Sequence, residues 1–300
     1  MLPTHNRYDY VRIGARPDYC WPDGKRLAFY ICTNIEYFAF CAGDGALDNA
    51  VINAKQSHRN FAWRDYGLRI GIWRLFDMLD ELGLPAAHNT NSLIYRHRPD
   101  IIERIHQRQD EVIAHGRTNS EHQDSMWEDD EARMIDEVTE TIARAQGKPP
   151  GGWMGPGLAE SAVTPDLLKE AGYRFVMDWP CDDQPFWMNT RSGRLLSVPY
   201  SIELNDGPVL ARRQHSPREF ADMLVDQFDE MVEQCIEAPL VCSIALHPFL
   251  VGQPFRIRPL RDALKHCLGY RHKDRVWWTR PGEIADYCYS LPEEIGRAHV

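Results

Sequence analysis

The chain has no apolar run approaching the ~18–20 residues a bilayer-spanning helix needs. Its opening stretch, MLPTHNRYDYVRIGARPDYCWPDG, carries neither an apolar core nor a small-residue cleavage site of a secretory signal. A cytoplasmic protein is therefore expected. The eight cysteines are scattered with no CxxC pair, which argues against a disulfide framework or a zinc ribbon and for reduced, mostly buried thiols. Positive charge is also scarce, with 34 Lys and Arg against 44 Asp and Glu and a net charge of −10. The most basic stretch, Arg256 to His266, reads as the solvated face of one helix rather than an anion site. Nucleic acid and anionic membrane are thus poor partners, and a small or neutral substrate fits best. A GxSxG elbow, a GxGxxG after a strand and a GxxxxGK[ST] loop are all missing. Serine acyl transfer, hydride transfer and phosphoryl transfer therefore lack their usual equipment. No repeat or low-complexity linker divides the sequence. It reads as one domain over 1–300, with an N-terminal arm at 1–24 and a tail at about 295–300 unrelated to the fold.

What is present alternates between strand-like and helix-like segments, the pattern of a mainly parallel sheet. RLAFYICTNIEYF is an apolar, β-branched and aromatic run, a buried strand leading into a polar loop. DYGLRIGIWRLFDMLDELGLP has apolar residues at helical spacing and stops at Gly83 and Pro85. Further strands are expected at PAAHNTNSLIY, EVIAHG, PGGWMGPGL, YRFVMDW, LLSVPYSI and PLVCSIALH. Helices are expected at RPDIIERIHQRQD, EDDEARMIDEVTETIARAQG, TPDLLKEAG with Thr164 as N-cap, PREFADMLVDQFDEMVEQC and GEIADYCYSL. Loops at 40–66 and the long arm suggest subunit contacts, so a homo-oligomer is expected.

The polar candidates fall where strands end: Asn34 and Glu36, His88, His115, Trp153, Asp178 and His247. In (β/α) barrels the strand C-termini build the active site. Glu36 would be costly if buried alone, so it is a ligand, a base, or paired with an arginine such as Arg69 or Arg74. Gly116 lets the chain turn sharply after His115, leaving its imidazole at the barrel mouth as ligand or acid/base; a core histidine is the alternative. His247, before Pro248, is placed to protonate a leaving nitrogen. Asp178 and the aromatics Trp153 and Trp179 are candidates to bind substrate or wall a pocket, although such aromatics are more often core.

The segments WPDGKRLAF…TNIE, YGLRIGIWRLFDMLDELGLP, RPDIIERIHQRQDEVIAHG, GWMGPG, TPDLLKEAGYRF and IALHPFLVGQPFR, in this order from Trp21 to Leu291, resemble the NodB-like polysaccharide deacetylase superfamily. YGxRxGxWR together with HPxxxGxP resembles its branch of allantoinase-type and cyclic imide hydrolases. The resemblance implies a distorted (β/α) barrel of seven or eight strands. It also implies a hydrolase of non-peptide C–N bonds, with His247 as general acid. Where deacetylases of the family carry an aspartate pair, this chain has Asn34 and Glu36. Where they carry two metal-binding histidines four apart, it has His115 and Asn119. GWMGPG replaces their arginine-proline-glycine loop. Two states of the site follow: one divalent metal, zinc, held by Glu36, His115 and a third ligand, or a site without metal. The expected reaction is ring opening of a cyclic imide, or cleavage of a related ureide or amide. Glu36 or a metal would activate water, and Asn34 or Asn119 would steady the oxyanion. An N-deacetylase of amino sugars and a non-catalytic ligand-binding relative are the alternatives.

Overall fold

In the computed structural model, which describes residues 5–40 and 58–292, the apolar run after Arg26 forms β1 (Leu27–Ile35), buried at every position. Then follow α1 (His58–Tyr66), α2 (Ile72–Leu82), β2 (Ala87–Thr90), α3 (Leu93–His97), α4 (Pro99–Arg108) and β3 (Glu111–Ala114). The middle of the chain supplies α5 (Glu128–Gln146), β4 (Gly152–Trp153), α6 (Thr164–Glu170), β5 (Phe175–Val176), β6 (Phe186–Thr190) and β7 (Gly193–Ser197). The last part supplies α7 (Pro217–Gln234), β8 (Leu240–Leu246), α8 (Pro248–Val251), α9 (Pro254–Gly269), β9 (Val276–Trp278) and α10 (Pro281–Ser290).

The strands form one sheet in the order β6-β7-β5-β4-β3-β2-β1-β8, with β9 also pairing β1, and only β6–β7 is antiparallel. This is the α/β, mainly parallel architecture expected, with nine strands rather than seven or eight. β8 runs beside β1 from Leu27↔Leu240 to Thr33↔Leu246. The edges of the sheet approach through single backbone bonds, Val241 N–H to Asp183 O (2.8 Å) and Ala245 N–H to Leu204 O (3.0 Å), rather than through a continuous ladder.

Side chains alternate across β1. Leu27, Phe29 and Ile31 pack outward against α2, α7 and α9, while Ala28, Tyr30 and Cys32 face the interior with Ile113 and Phe175. A strand buried on both faces reads as a continuous apolar run, which is why it was visible in the sequence. α7 begins with a capping box, Ser216 Oγ accepting from Glu219 N–H (3.2 Å) and the Glu219 carboxylate from Ser216 N–H (2.6 Å).

Three expectations need correction. Residues 58–66, read as part of a loop at 40–66, are helical; 41–57 and the tail at 295–300 lie outside the described residues. α6 starts at Thr164 with Val163 before it, because the Thr164 hydroxyl is turned to the buried Glu131 carboxylate instead of capping. The strand expected at LLSVPYSI, β7, is joined by an antiparallel partner, β6, which the sequence reading missed. Among the described residues the cysteines are free, five of them buried and Cys20 and Cys181 exposed. No helix among them is long and apolar enough to cross a membrane.

Candidate active site

Glu36 follows β1, His115 follows β3 and His247 follows β8, so three parallel strands deliver them to one end of the sheet. They converge. His247 Nε2 lies 3.4 Å from Glu36 Oε1, and His115 Nε2 lies 3.9 Å from the same oxygen. All three are deeply placed: His115 is 1% exposed and Glu36 9%, while the His247 side chain retains 15%.

His247 has a second partner that the sequence reading missed. Asp206, fully buried, places Oδ1 2.6 Å from His247 Nδ1, and its Oδ2 accepts the His247 backbone N–H at 2.8 Å. The two bonds fix both the ring and the strand exit that carries it. Asp206 stands at the head of a short π-helical turn, Gly207–Arg212, too brief to show a period in the sequence; its only signal was a carboxylate beside Gly207 and Pro208.

The electrostatics follow from this arrangement. Burial alone would lower the His247 pKa, but the carboxylates of Glu36 and Asp206 outweigh it and push it up to about 10. Burial alone would raise Glu36, but the charge and close contact of His247 and the Arg64 guanidinium hold it well below the usual carboxylate range. Burial pushes Asp206 up, and the His247 cation partly offsets this. At neutral pH the centre is therefore an imidazolium facing a carboxylate: an acid with its proton on, beside an ionised base.

The arginine near Glu36 is neither Arg69 nor Arg74. Arg69 is exposed and pairs with Asp65, and Arg74 Nη1 donates to Tyr66 Oη (2.6 Å) and Gly252 O (3.0 Å). Arg64 from α1 fills the role, its Nη1 3.9 Å from Glu36 Oε2 and its guanidinium 4.1 Å from the Phe38 ring centre and 5.0 Å from that of Phe249.

The loop carrying His247 is seated by two glycines. Between α1 and α2 the chain makes a π-helical turn, Gly67–Gly71, and α8 packs on it. A Cβ on Gly71 would lie 2.0 Å from Pro248 O, and one on Gly252 would lie 2.3 Å from Gly71 Cα. YGxRxGxWR and HPxxxGxP are thus two halves of one contact, closed by the Arg74–Gly252 bond.

The amide of Asn119 can be oriented from its neighbours. Tyr37 N–H donates to Asn91 Oδ1 (2.7 Å), so Asn91 Nδ2 faces His115 O and Asn119 Oδ1 (3.4 Å for the latter). Asn119 Nδ2 must then point to Glu36 Oε1, 2.7 Å away. It presents hydrogen-bond donors to the carboxylate, and its oxygen is occupied. A catalytic zinc takes three protein ligands. Here His115 Nε2 and Glu36 qualify, Asn119 turns its NH₂ inward, and His247 Nε2 carries a proton. Among the described residues no group of three His, Cys, Asp or Glu side chains is placed to hold a metal ion. The donor set does not fit the zinc site considered from the sequence.

The other sequence candidates stand further back. The Asn34 amide is engaged by Tyr200 Oη (3.1 Å), Leu246 O (3.3 Å) and Asn89 Nδ2 (2.9 Å), which ties β1, β2 and β8 together beneath the site. Trp153 is fully buried, edge-on to Tyr173, with its indole N–H on Gln123 Oε1 (3.1 Å). Asp178 accepts Gly155 N–H (2.8 and 3.0 Å) and secures the GWMGPG loop; burial pushes its pKa up to about 7. Trp179 donates to Glu160 Oε2 (3.0 Å) and packs on Tyr8 of the arm. A cleft of about 1540 Å³ lies between the arm, the start of β8 and α7, but neither Glu36, His115 nor His247 lines it.

Residues 65–176 match the family model described as polysaccharide deacetylase. A Schizosaccharomyces pombe protein assigned to the polysaccharide deacetylases is 24% identical over 279 residues, which cover 87% of this chain and 85% of the relative. Among solved structures, Puue allantoinase superposes with a TM-score of 0.82 at 25% identity, covering 94% of this chain and 98% of its own. A Pseudomonas aeruginosa PAO1 protein assigned to the polysaccharide deacetylases superposes with 0.80 at 24% identity, covering 91% and 94%.

Proposed function

We propose that this chain, whose residues 65–176 match the polysaccharide deacetylase model and which superposes on an allantoinase, hydrolyses a non-peptide C–N bond by ring opening of a cyclic imide or ureide, with Glu36 as base and His247 as acid and with no metal in the reaction. The observation carrying this reading is the Asp206–His247–Glu36 line, with contacts of 2.6 and 3.4 Å. The allantoinase neighbour supports the ureide branch of the reading, and the deacetylase neighbours support amide hydrolysis more generally.

The chemistry starts from a closed pair. At 3.4 Å no water fits between His247 Nε2 and Glu36 Oε1, so substrate and water must separate them. That separation removes the contact that most depresses Glu36, and its basicity rises when a substrate is present. Water then attacks the carbonyl carbon while Glu36 takes one of its protons. Asn119 Nδ2 and the Arg64 guanidinium are the nearest donors for the oxyanion, and one such donor is worth roughly 3–4 kcal/mol. As the C–N bond breaks, its electron pair goes to nitrogen and His247 Nε2 delivers the proton there. The proton on Glu36 then restores His247 through solvent. The product is an open-chain half-amide or its ureido equivalent.

Succinimide, maleimide, hydantoin and allantoin form the test panel, followed by loss of the ring chromophore or by acid release. Flat traces on all four would remove this reading. Acetate release from chitooligosaccharides would put amino-sugar deacetylation in its place.

A further inference from the structure

One acceptor in the site has nothing to accept. His115 Nδ1 is bonded to Met154 O, a carbonyl, and so must donate. The lone pair of the neutral ring therefore lies on Nε2. That nitrogen is buried with no hydrogen-bond partner. The nearest polar atom, Glu36 Oε1 at 3.9 Å, is itself an acceptor, already served by Asn119 Nδ2 at 2.7 Å. Two acceptors facing each other across 3.9 Å leave a place for a donor, and a buried acceptor without one costs free energy that a bound donor recovers. His247 approaches the same oxygen at 3.4 Å, so the nitrogen it protonates sits within this group.

We propose that His115 accepts a hydrogen bond from the substrate N–H beside the scissile carbonyl, which makes cyclic imides and ureides unsubstituted at that nitrogen the substrate class. This rests on the hydrolase reading above. His115 is then a specificity residue. A substrate alkylated at that nitrogen brings a methyl group against a buried lone pair and leaves it unpaired, whereas an N–H fills the place between Nε2 and Oε1.

The experiment compares kcat/KM for succinimide and N-methylsuccinimide, and for hydantoin and its N-methyl derivatives. The wild type is expected to favour the N–H compounds by about 10–100-fold, the usual penalty for an unmade buried hydrogen bond. His115→Asn keeps a donor toward Met154 O but ends short of Nε2, so its preference should narrow to a few-fold. His115→Gln places an oxygen near Nε2 and should retain the preference; thermal unfolding checks that both variants fold. Calorimetric binding of succinimide and N-methylsuccinimide to His247→Ala separates this idea from the hydrolase reading. If the wild type turns over none of the panel while His247→Ala still binds the N–H compound selectively, the hydrolase reading ends and the assignment to His115 stands; no turnover by the wild type and binding of neither compound ends both. Equal kcat/KM for the paired compounds in the wild type overturns the proposal. So does an unchanged ratio in a folded His115→Asn, or one bound metal per chain whose removal abolishes the preference.

Discussion

Replacing Asp206 by Asn tests the acid directly. The carboxylate bonds His247 twice, at 2.6 Å through Nδ1 and 2.8 Å through the backbone N–H. The amide can keep one of those bonds and loses the charge. With both carboxylates present His247 is raised from 6.5 to about 10, so the wild type should hold its acid protonated up to that pH. The linked preference for the imidazolium is roughly 5 kcal/mol at 1.36 kcal/mol per pH unit. Removing one of two anions leaves Glu36 alone to sustain it, and the alkaline limb of kcat/KM should move to lower pH, between the ordinary histidine value of about 6.5 and the wild-type value. The defect must then grow with pH. At pH 6 both proteins carry a protonated His247 and the variant loses only ring orientation. At pH 9 it also loses protonated acid, and the total deficit should reach about 10²–10⁴-fold, the range of general-acid contributions. A pH–rate series on the best compound of the panel reads this out. Parallel wild-type and variant profiles, or an alkaline limb that stays put, would refute the assignment of Asp206 and His247.

Three further outcomes follow from the same geometry. Gly71→Ala drives a Cβ toward Pro248 O, so it should cost roughly 1–3 kcal/mol of stability by overpacking and lower kcat by displacing His247; a neutral result in urea unfolding and turnover would show that the loop tolerates the shift. Dialysis against a chelator should leave turnover unchanged, with elemental analysis giving less than one metal ion per chain; loss of activity restored by zinc would reinstate the metal-bound alternative. Trp153→Phe removes a buried indole bonded to Gln123, so it should lower stability by about 1–3 kcal/mol while leaving KM near the wild-type value, and a selective rise in KM would return this residue to the substrate wall.

The sequence showed most clearly what depends on local pattern. β1 and β8 are buried on both faces and read as unbroken apolar runs, so the exits at Glu36 and His247 were evident. β4 and β5 were expected at PGGWMGPGL and YRFVMDW although each is only two residues long, whereas β9, three residues long, was not expected: too short for a period to emerge, it exists because β1 supplies its hydrogen bonds. The arginine beside Glu36 was sought at Arg69 or Arg74, on the recognisable helix, whereas Arg64 lies one turn before the π-helical bulge that rotates the register. Trp153 and Asn34 stand at strand ends like true site residues, yet their side chains turn into the core and the interior hydrogen-bond layer; strand position predicts where a backbone arrives, not which way its side chain points.

Glu36→Gln gives the complementary view of the ion pair, through stability rather than rate. A group whose folded pKa is raised, as His247 is to about 10, contributes stability in full below its unfolded value of about 6.5 and loses it as pH climbs through the folded value. Glu36, held low in the fold, contributes above its unfolded value and loses that only in strong acid. Both contributions are present together in the middle of the range, and the alkaline side is where they can be read separately. The wild type should therefore become easier to unfold in urea between pH 7 and 10, by at most roughly 5 kcal/mol. In Glu36→Gln the imidazolium keeps Asp206 but loses its facing anion, so the slope should be shallower and end at lower pH. A variant with the wild-type slope would mean that His247 takes its charge from Asp206 alone. Glu36 and His247 would then titrate independently despite their 3.4 Å contact, and the coupled acid–base pair from which the mechanism starts would not exist.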